Sequence, residues 1–264
     1  MQINIDLSIN IPLTRQILTV FISSEMRRAG FSRGVIGLSG GIDSALSCFL
    51  AAEALGPENI LAVRMPYKDS SPDSLAHAQL LIEATGVQSL TVPITAMVDP
   101  LFDRFPEADV LRRGNVMARA RMSILYDQSA AFNGLVLGTG NKTEIMLGYT
   151  TLYGDSACAF NPIGDLYKTQ VRQLARAVGV PSVIIDKPPS ADLWAGQTDE
   201  DDLGFTYEEV DKLLYLLIDQ RCTPEDCINA GFERSFVHVV VERVRGSQFK
   251  RVMPPIARLT NSTA

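Results

Sequence analysis

Apolar and polar positions along the chain follow two different periods. Short, largely apolar runs at 34–38 (GVIGL), 60–65 (ILAVRM), 89–94 (SLTVPI) and 135–140 (LVLGTG) read as strands. Between them, apolar residues recur three and four apart over 43–55, from Pro72 to Gly86, and across about 115–132, the period of helices. Beyond the fourth strand the helical period dominates, over 141–149, 168–178, 206–219, 223–230 and 233–246.

Strands that are apolar on both faces and alternate with helices predict an α/β fold. The expected architecture is a parallel sheet with helices on both faces and a helical C-terminal extension. We expect one domain over 1–264, made of an α/β core over about 1–180, a mobile loop over 181–205 and a helical part over 206–264. The loop assignment rests on the stretch 187–207 (KPPSADLWAGQTDEDDLGFTY), which is acidic, rich in Pro and Gly, and holds the one tryptophan. Long irregular segments of that kind serve as lids, interface arms or connectors.

Composition narrows the function classes. The chain has 264 residues, 46% hydrophobic and 20% charged, as expected of a soluble globular protein. Its apolar runs are far too short for a membrane span, so no membrane partner is expected. The N-terminal MQINIDLSIN lacks a basic region followed by an apolar one, which argues against a secretory signal and for a cytoplasmic chain. A net charge of −6 disfavours a general nucleic-acid surface. Cys48, Cys158, Cys222 and Cys227, with only His77 and His238, lack the spacing of a structural zinc site and read as reduced thiols.

The small and polar clusters fall after strands: Ser39 to Ser44 after the first, Arg64 to Asp73 after the second, Thr139 to Glu144 after the fourth. Ligands of open parallel sheets bind at those carboxyl ends. Glycines running into a helix N-terminus present free backbone N–H groups, which suit phosphate. Gly40 and Gly41 take away side chains that would hold a phosphate off, and Ser39 and Ser44 add hydroxyls. Neither GxxxxGK[ST] nor GxGxxG is present, and the loop has no lysine. Asp43 in the first helical turn would repel phosphate unless a cation such as Mg²⁺ bridged the two. On the bare pattern, Asp43 is equally well a helix cap.

The full string Ser39-Gly-Gly-Ile-Asp-Ser44 resembles the pyrophosphate-binding loop of the PP-loop ATP pyrophosphatase superfamily, whose fold is adenine-nucleotide alpha hydrolase-like. Downstream, NVMARARMSILYDQSA, LGTGNKTEIMLGYTTLYGDSACAFNPIGDLYKTQVRQLARAVGVP and KPPSADLWAGQTDEDDLGFTYEEVD are similar to NAD synthetases, from about residue 10 to FKRVMPP near the end. The resemblance implies ATP-dependent amidation of deamido-NAD to NAD through an adenylated intermediate, releasing AMP and pyrophosphate. The motif begins before residue 40, leaving no room for a fused glutaminase, so ammonia is the implied nitrogen donor. A separate glutaminase stays open, and a homodimer and Mg²⁺ are implied.

The same resemblance assigns Gly37, Leu38, Ser39, Gly40, Gly41, Ile42, Asp43 and Ser44 to ATP, together with Arg64, Thr139, Lys168 and Ser190. It places Asp43 and Glu144 on the metal and Arg119 and Lys250 on deamido-NAD. Asp43, Lys168 and Asp155 are the implied catalytic set, Asp155 near the nicotinate where ammonium is received. Asn141 and Glu144 also have capping-box spacing. Lys168 in a first helical turn opposes the helix dipole, so a purely structural role explains it poorly. Three positions depart from the ammonia-dependent pattern: Leu152 for a lysine, Ala159 for an aspartate, and Phe249 for a histidine. They look more like the synthetase domain of glutamine-dependent enzymes. Two rivals are a tRNA-modifying PP-loop enzyme and a non-catalytic nucleotide-binding subunit. The first lacks its cysteine pair or iron–sulfur ligands, and the second does not explain Ser39, Asp43, Thr139, Glu144 and Lys168 together.

Overall fold

The computed structural model describes residues 5–190 and 198–257. Four strands, β1 (Gly34–Gly37), β2 (Ile60–Arg64), β3 (Gln88–Thr91) and β4 (Leu135–Leu137), form a parallel sheet in the order β3-β2-β1-β4. The connecting helices are α1 (Ile11–Arg28) before β1, α2 (Ile42–Leu55), α3 (Pro72–Thr85), α4 (Thr95–Arg104) and α5 (Val110–Phe132). After β4 come α6 (Lys142–Leu147), α7 (Lys168–Val178), α8 (Ser182–Ile185), α9 (Asp199–Leu203), α10 (Tyr207–Leu214), α11 (Pro224–Asn229) and α12 (Arg234–Gly246).

Alternation along the strands sorts the core. Ile36, Ile60, Ala62 and Leu137 face a cluster built with α1, α2, α3 and α7, to which Ile22, Met26, Leu46, Leu81 and Leu174 contribute. Val35 and Val63 face the other way, onto Val98 and Phe102 of α4 and Met117 and Ile124 of α5. Helices therefore cover both faces, as the double-sided apolar strands predict. A third cluster joins Leu147 of α6 and Tyr167 to Tyr207, Val210, Leu213, Val237 and Val240 of the C-terminal helices.

Five differences from the sequence expectation are informative. The α1 helix, capped by Asn10 through the Leu13 N–H, occupies a stretch for which the pattern gave no element. The α4 helix forms despite Pro100 inside it. The third strand ends at Thr91, where its pairing with Arg64 of β2 ends. The fourth ends at Leu137, where the chain pairs instead with an incoming segment: Gly138 N–H donates to Phe160 O and Ala159 N–H to Val136 O. The segment 181–205, expected as a loop, holds α8 and α9; residues 191–197, with Trp194, lie outside the described residues.

Candidate active site

The carboxyl ends of β1, β2 and β4 open into one cavity of about 510 Å³, within the range of small-molecule pockets. Of the residues assigned in the sequence to ATP, deamido-NAD, the metal or catalysis, all line this cavity except Gly40 and Arg119. Gly40 supports the loop from behind. Its φ is +79°, and a Cβ there would stand 2.2 Å from the Ser74 backbone oxygen of α3. The requirement for glycine at 40 is thus close approach to α3, whereas at 41 a Cβ would meet only the Ser39 hydroxyl, at 3.3 Å. We expect Gly40→Ala to lower the unfolding free energy by about 2 kcal/mol or more, since both strain and clash must be relieved. Urea unfolding checks this, and a Gly40→Ala stability equal to that of Gly41→Ala would contradict it.

The loop is held open by its own hydroxyls. Ser44 Oγ donates to Gly41 O at 3.0 Å, Ser39 N–H donates to Ser44 Oγ at 3.3 Å, and Gly41 N–H donates to Ser39 Oγ at 3.2 Å. The α2 helix then begins at Ile42 with no side-chain cap on its free N–H groups. Asp43 is therefore not an N-cap: it sits inside the first turn, turned toward α6 and α7.

There it meets two partners. Lys168 Nζ donates to Asp43 Oδ2 at 2.5 Å and to Glu144 Oε1 at 3.0 Å, and Asn141 Nδ2 donates to Asp43 Oδ1 at 2.9 Å. Lys168 is 2% exposed and lies over the Tyr207 ring. Burial alone would push its pKa down; Asp43 and Glu144 reverse the sign and hold it above the ordinary lysine value. For Glu144, burial drives the carboxyl up, to about 7; Lys168 pulls it back and Asp43 adds to the rise. Glu144 does double duty: its Oε2 accepts from Asn141 N–H while Asn141 Oδ1 accepts from Glu144 N–H, so the capping box and the ion pair coexist.

The remaining predicted residues take distinct places. Arg64 Nη1 donates to Gln79 Oε1 at 2.8 Å, on the α3 side of the cavity. Thr139 and Ser190 lie on its wall. Asp155 Oδ1 accepts from Thr151 N–H at 2.7 Å, and burial raises its carboxyl. Lys250 Nζ donates to Gly148 O and Thr150 O, at 2.8 and 2.7 Å, tying the C-terminal segment to the cavity rim. Arg119 lies outside the lining, with Nε donating to Leu152 O at 3.3 Å; Arg121, two residues on, lines the cavity and donates to Met65 O.

Sequence reasoning missed two buried carboxylates behind these groups. Asp211 of α10 is 0% exposed and accepts from Thr143 Oγ1 at 2.5 Å and Thr169 N–H at 2.8 Å, while Thr143 Oγ1 also accepts from Lys168 N–H. It thereby joins the first turns of α6 and α7, which carry Glu144 and Lys168. Asp199 of α9 accepts from Tyr207 and Tyr149 hydroxyls, at 3.0 and 3.3 Å, and faces the cavity. Burial raises the pKa of both carboxyls.

A strand-end cavity, a Ser-Gly-Gly loop at a helix N-terminus, and two carboxylates around one lysine have the chemistry to hold a phosphorylated ligand. A model of the NAD synthase family matches residues 14–254. The chain belongs to the NAD synthase family. Its sequence is 58% identical to the NH(3)-dependent NAD(+) synthetase of Trichlorobacter lovleyi over 257 residues, 97% of this chain and 94% of that one. The NMN synthetase of Francisella tularensis has a solved structure similar to this one, with a TM-score of 0.84 at 30% identity, covering 96% of this chain and all of that one. The NH3-dependent NAD synthetase of Campylobacter jejuni gives 0.81 at 32%, covering 95% of this chain and 100% of that one. Within the NAD synthase family, the double-sided α/β sheet and helical C-terminal part are the shared frame.

Proposed function

We propose that the chain makes NAD from deamido-NAD, ATP and ammonia. The observation that carries the proposal is the meeting of the Ser39–Ser44 loop, Asp43, Glu144 and Lys168 in one cavity of a chain from this family. A carboxylate oxygen of the nicotinate attacks the α-phosphorus of ATP, the α–β P–O bond breaks, and pyrophosphate leaves. Ammonia nitrogen then attacks the acyl carbon, AMP leaves with the C–O bond electrons, and the nitrogen gives up a proton to water.

The chain's residues serve these steps electrostatically. The uncapped N–H groups at the start of α2 and the hydroxyls of Ser39 and Ser44 face charge that grows on the departing pyrophosphate. Lys168, fixed by two carboxylates, keeps its proton and sets the position of both acids. Two carboxylates brought to one point beside the phosphate loop suit Mg²⁺ completed by phosphate oxygens and water. Asp43 and Glu144 would hold that ion, which when bound offsets phosphate charge. We assign Arg64, Thr139 and Ser190 to ATP, Arg119 and Lys250 to deamido-NAD, and Asp155 to the incoming ammonium.

A homodimer and a cytoplasmic location belong to the same proposal. Leu111, on the cavity wall, is 67% exposed, which fits a site completed by a second chain. A tRNA-modifying role is not favoured, because the relatives are named as NAD synthetases over nearly their whole length. A mononucleotide acceptor is the second reading, motivated by the similar fold of an NMN synthetase. The 58% identity to an NAD synthetase against 30% to that enzyme favours the dinucleotide.

The test incubates the purified chain with ATP, Mg²⁺ and either deamido-NAD or nicotinic acid mononucleotide, with ammonium or glutamine in separate tubes. Amide product, AMP and pyrophosphate are quantified. NAD with ammonium alone is the expected result. Pyrophosphate release without amide would point to a separate ammonia-delivering glutaminase, and preference for the mononucleotide would replace the acceptor. Absence of AMP and pyrophosphate from every tube would defeat the proposal.

A further inference from the structure

The cavity's positive charges are unevenly committed. Lys168 is shared by Asp43 and Glu144, and Lys250 is held by two backbone carbonyls. Arg64 is held by the neutral Gln79, and Lys187 is likewise held by a neutral side chain. Its Nζ donates to Ser74 Oγ at 3.1 Å, a neutral partner, and among the described residues it meets no carboxylate. Both Lys187 and Ser74 line the cavity. Ser74 is also the residue whose backbone oxygen packs where a Cβ of Gly40 would be, so the Lys187 ammonium stands beside the Ser39–Ser44 loop. The position is anchored, because Ile184 and Ile185 of α8, just before it, are buried in the main core.

The loop itself contains no lysine or arginine. A triphosphate brought to it needs a cation that is not already neutralised, and Lys187 is bonded to Ser74, which packs against Gly40 of that loop. Exchanging a neutral hydroxyl for a phosphate oxygen converts an ordinary hydrogen bond into a charge-assisted one, which is about twice as strong. We infer that Lys187 is a phosphate-binding residue of this site, pairing with the β,γ end of ATP and with the departing pyrophosphate from the α3 side of the loop. The inference rests on the ATP reading above and adds a residue to it.

Isothermal titration of the full chain with MgATP, magnesium pyrophosphate and AMP tests it, using Lys187→Gln and Lys187→Arg beside the wild type. Lys187→Gln should weaken ATP and pyrophosphate about tenfold or more and leave AMP within about twofold. Lys187→Arg should restore most of the loss, and thermal unfolding should not move. Equal weakening of AMP and ATP, or unchanged pyrophosphate binding in Lys187→Gln, would overturn the assignment while leaving the ATP site standing. A wild-type chain that binds neither ATP nor pyrophosphate would overturn both.

Discussion

Replacing Lys168 by methionine is expected to lower NAD turnover by about a thousandfold and the unfolding free energy by about 3 kcal/mol. The stability term follows from burial. The ammonium is 2% exposed, 2.5 Å from Asp43 Oδ2 and 3.0 Å from Glu144 Oε1. Methionine keeps an unbranched side chain in the buried site beside Tyr207 but leaves two carboxylates facing one another without a cation. Breaking a buried pair from one side costs more than the pair contributes, because the remaining charge is stranded. The catalytic term is larger, since Asp43 and Glu144 would then no longer be held at one point beside the phosphate loop. Lys168→Arg should not rescue, because a planar guanidinium cannot place one nitrogen between both acids at these distances. Turnover and urea unfolding are measured on the same preparations. A Lys168→Met enzyme within tenfold of wild type would refute the central role given to this triad.

How far the sequence discloses this site depends on how local each feature is. The α7 helix matches its predicted span because Val171, Leu174 and Ala175 are buried on one stripe and Gly179 stops it in the left-handed region. The loop at Ser39–Ser44 is legible for the same reason: strand, glycines and helix are contiguous. Helix α1 is harder. Only Ile22 and Met26 are buried, while Leu13, Ile17 and Val20 face outward, so the apolar period does not mark a single face. Its cap signal, Asn10 followed by Pro12, was nonetheless there to be read. In α4 the breaker Pro100 masks a helix whose amphipathic face carries Val98 and Phe102. The purpose of Gly40 could not be read locally, because the atom it avoids belongs to Ser74.

Long-range pairs are the least legible. Thr143 and Asp211 are 68 residues apart, and no spacing rule joins them. One clue existed. In α10 the positions 207, 210, 211 and 214 form a single helical stripe, and Tyr207, Val210 and Leu214 on it are buried. Asp211 stands on that stripe, a charged residue where the pattern demands an apolar one. Such a violation marks either a buried partner or a functional group. Lys187 offered no comparable signal, since a lysine beside two prolines in a polar stretch looks like solvent-facing chain.

That violation leads to the second large effect. Asp211→Asn is expected to cost about 2 kcal/mol of stability, because an amide keeps one acceptor but sets its NH2 against either the Thr143 hydroxyl or the Thr169 N–H. Turnover should fall about 30-fold at temperatures where the variant is fully folded, since a loss of about 2 kcal/mol in positioning corresponds to that factor. The reason is geometric: Asp211 is the link between the first turns of α6 and α7, and those turns carry Glu144 and Lys168. Thr143→Ser, which keeps the hydroxyl, should retain nearly full turnover, whereas Thr143→Val should behave like Asp211→Asn. The double variant should lose less than the sum of the two, because both substitutions break the same link. Glu208→Gln, on the exposed face of the same helix and paired with Lys212 at 3.7 Å, is the control and should change neither quantity. Stability lost without turnover would mean that the ion pairs of Lys142 with Asp165 and Asp219 suffice to hold α6 in register, and Asp211 would then be a packing residue alone.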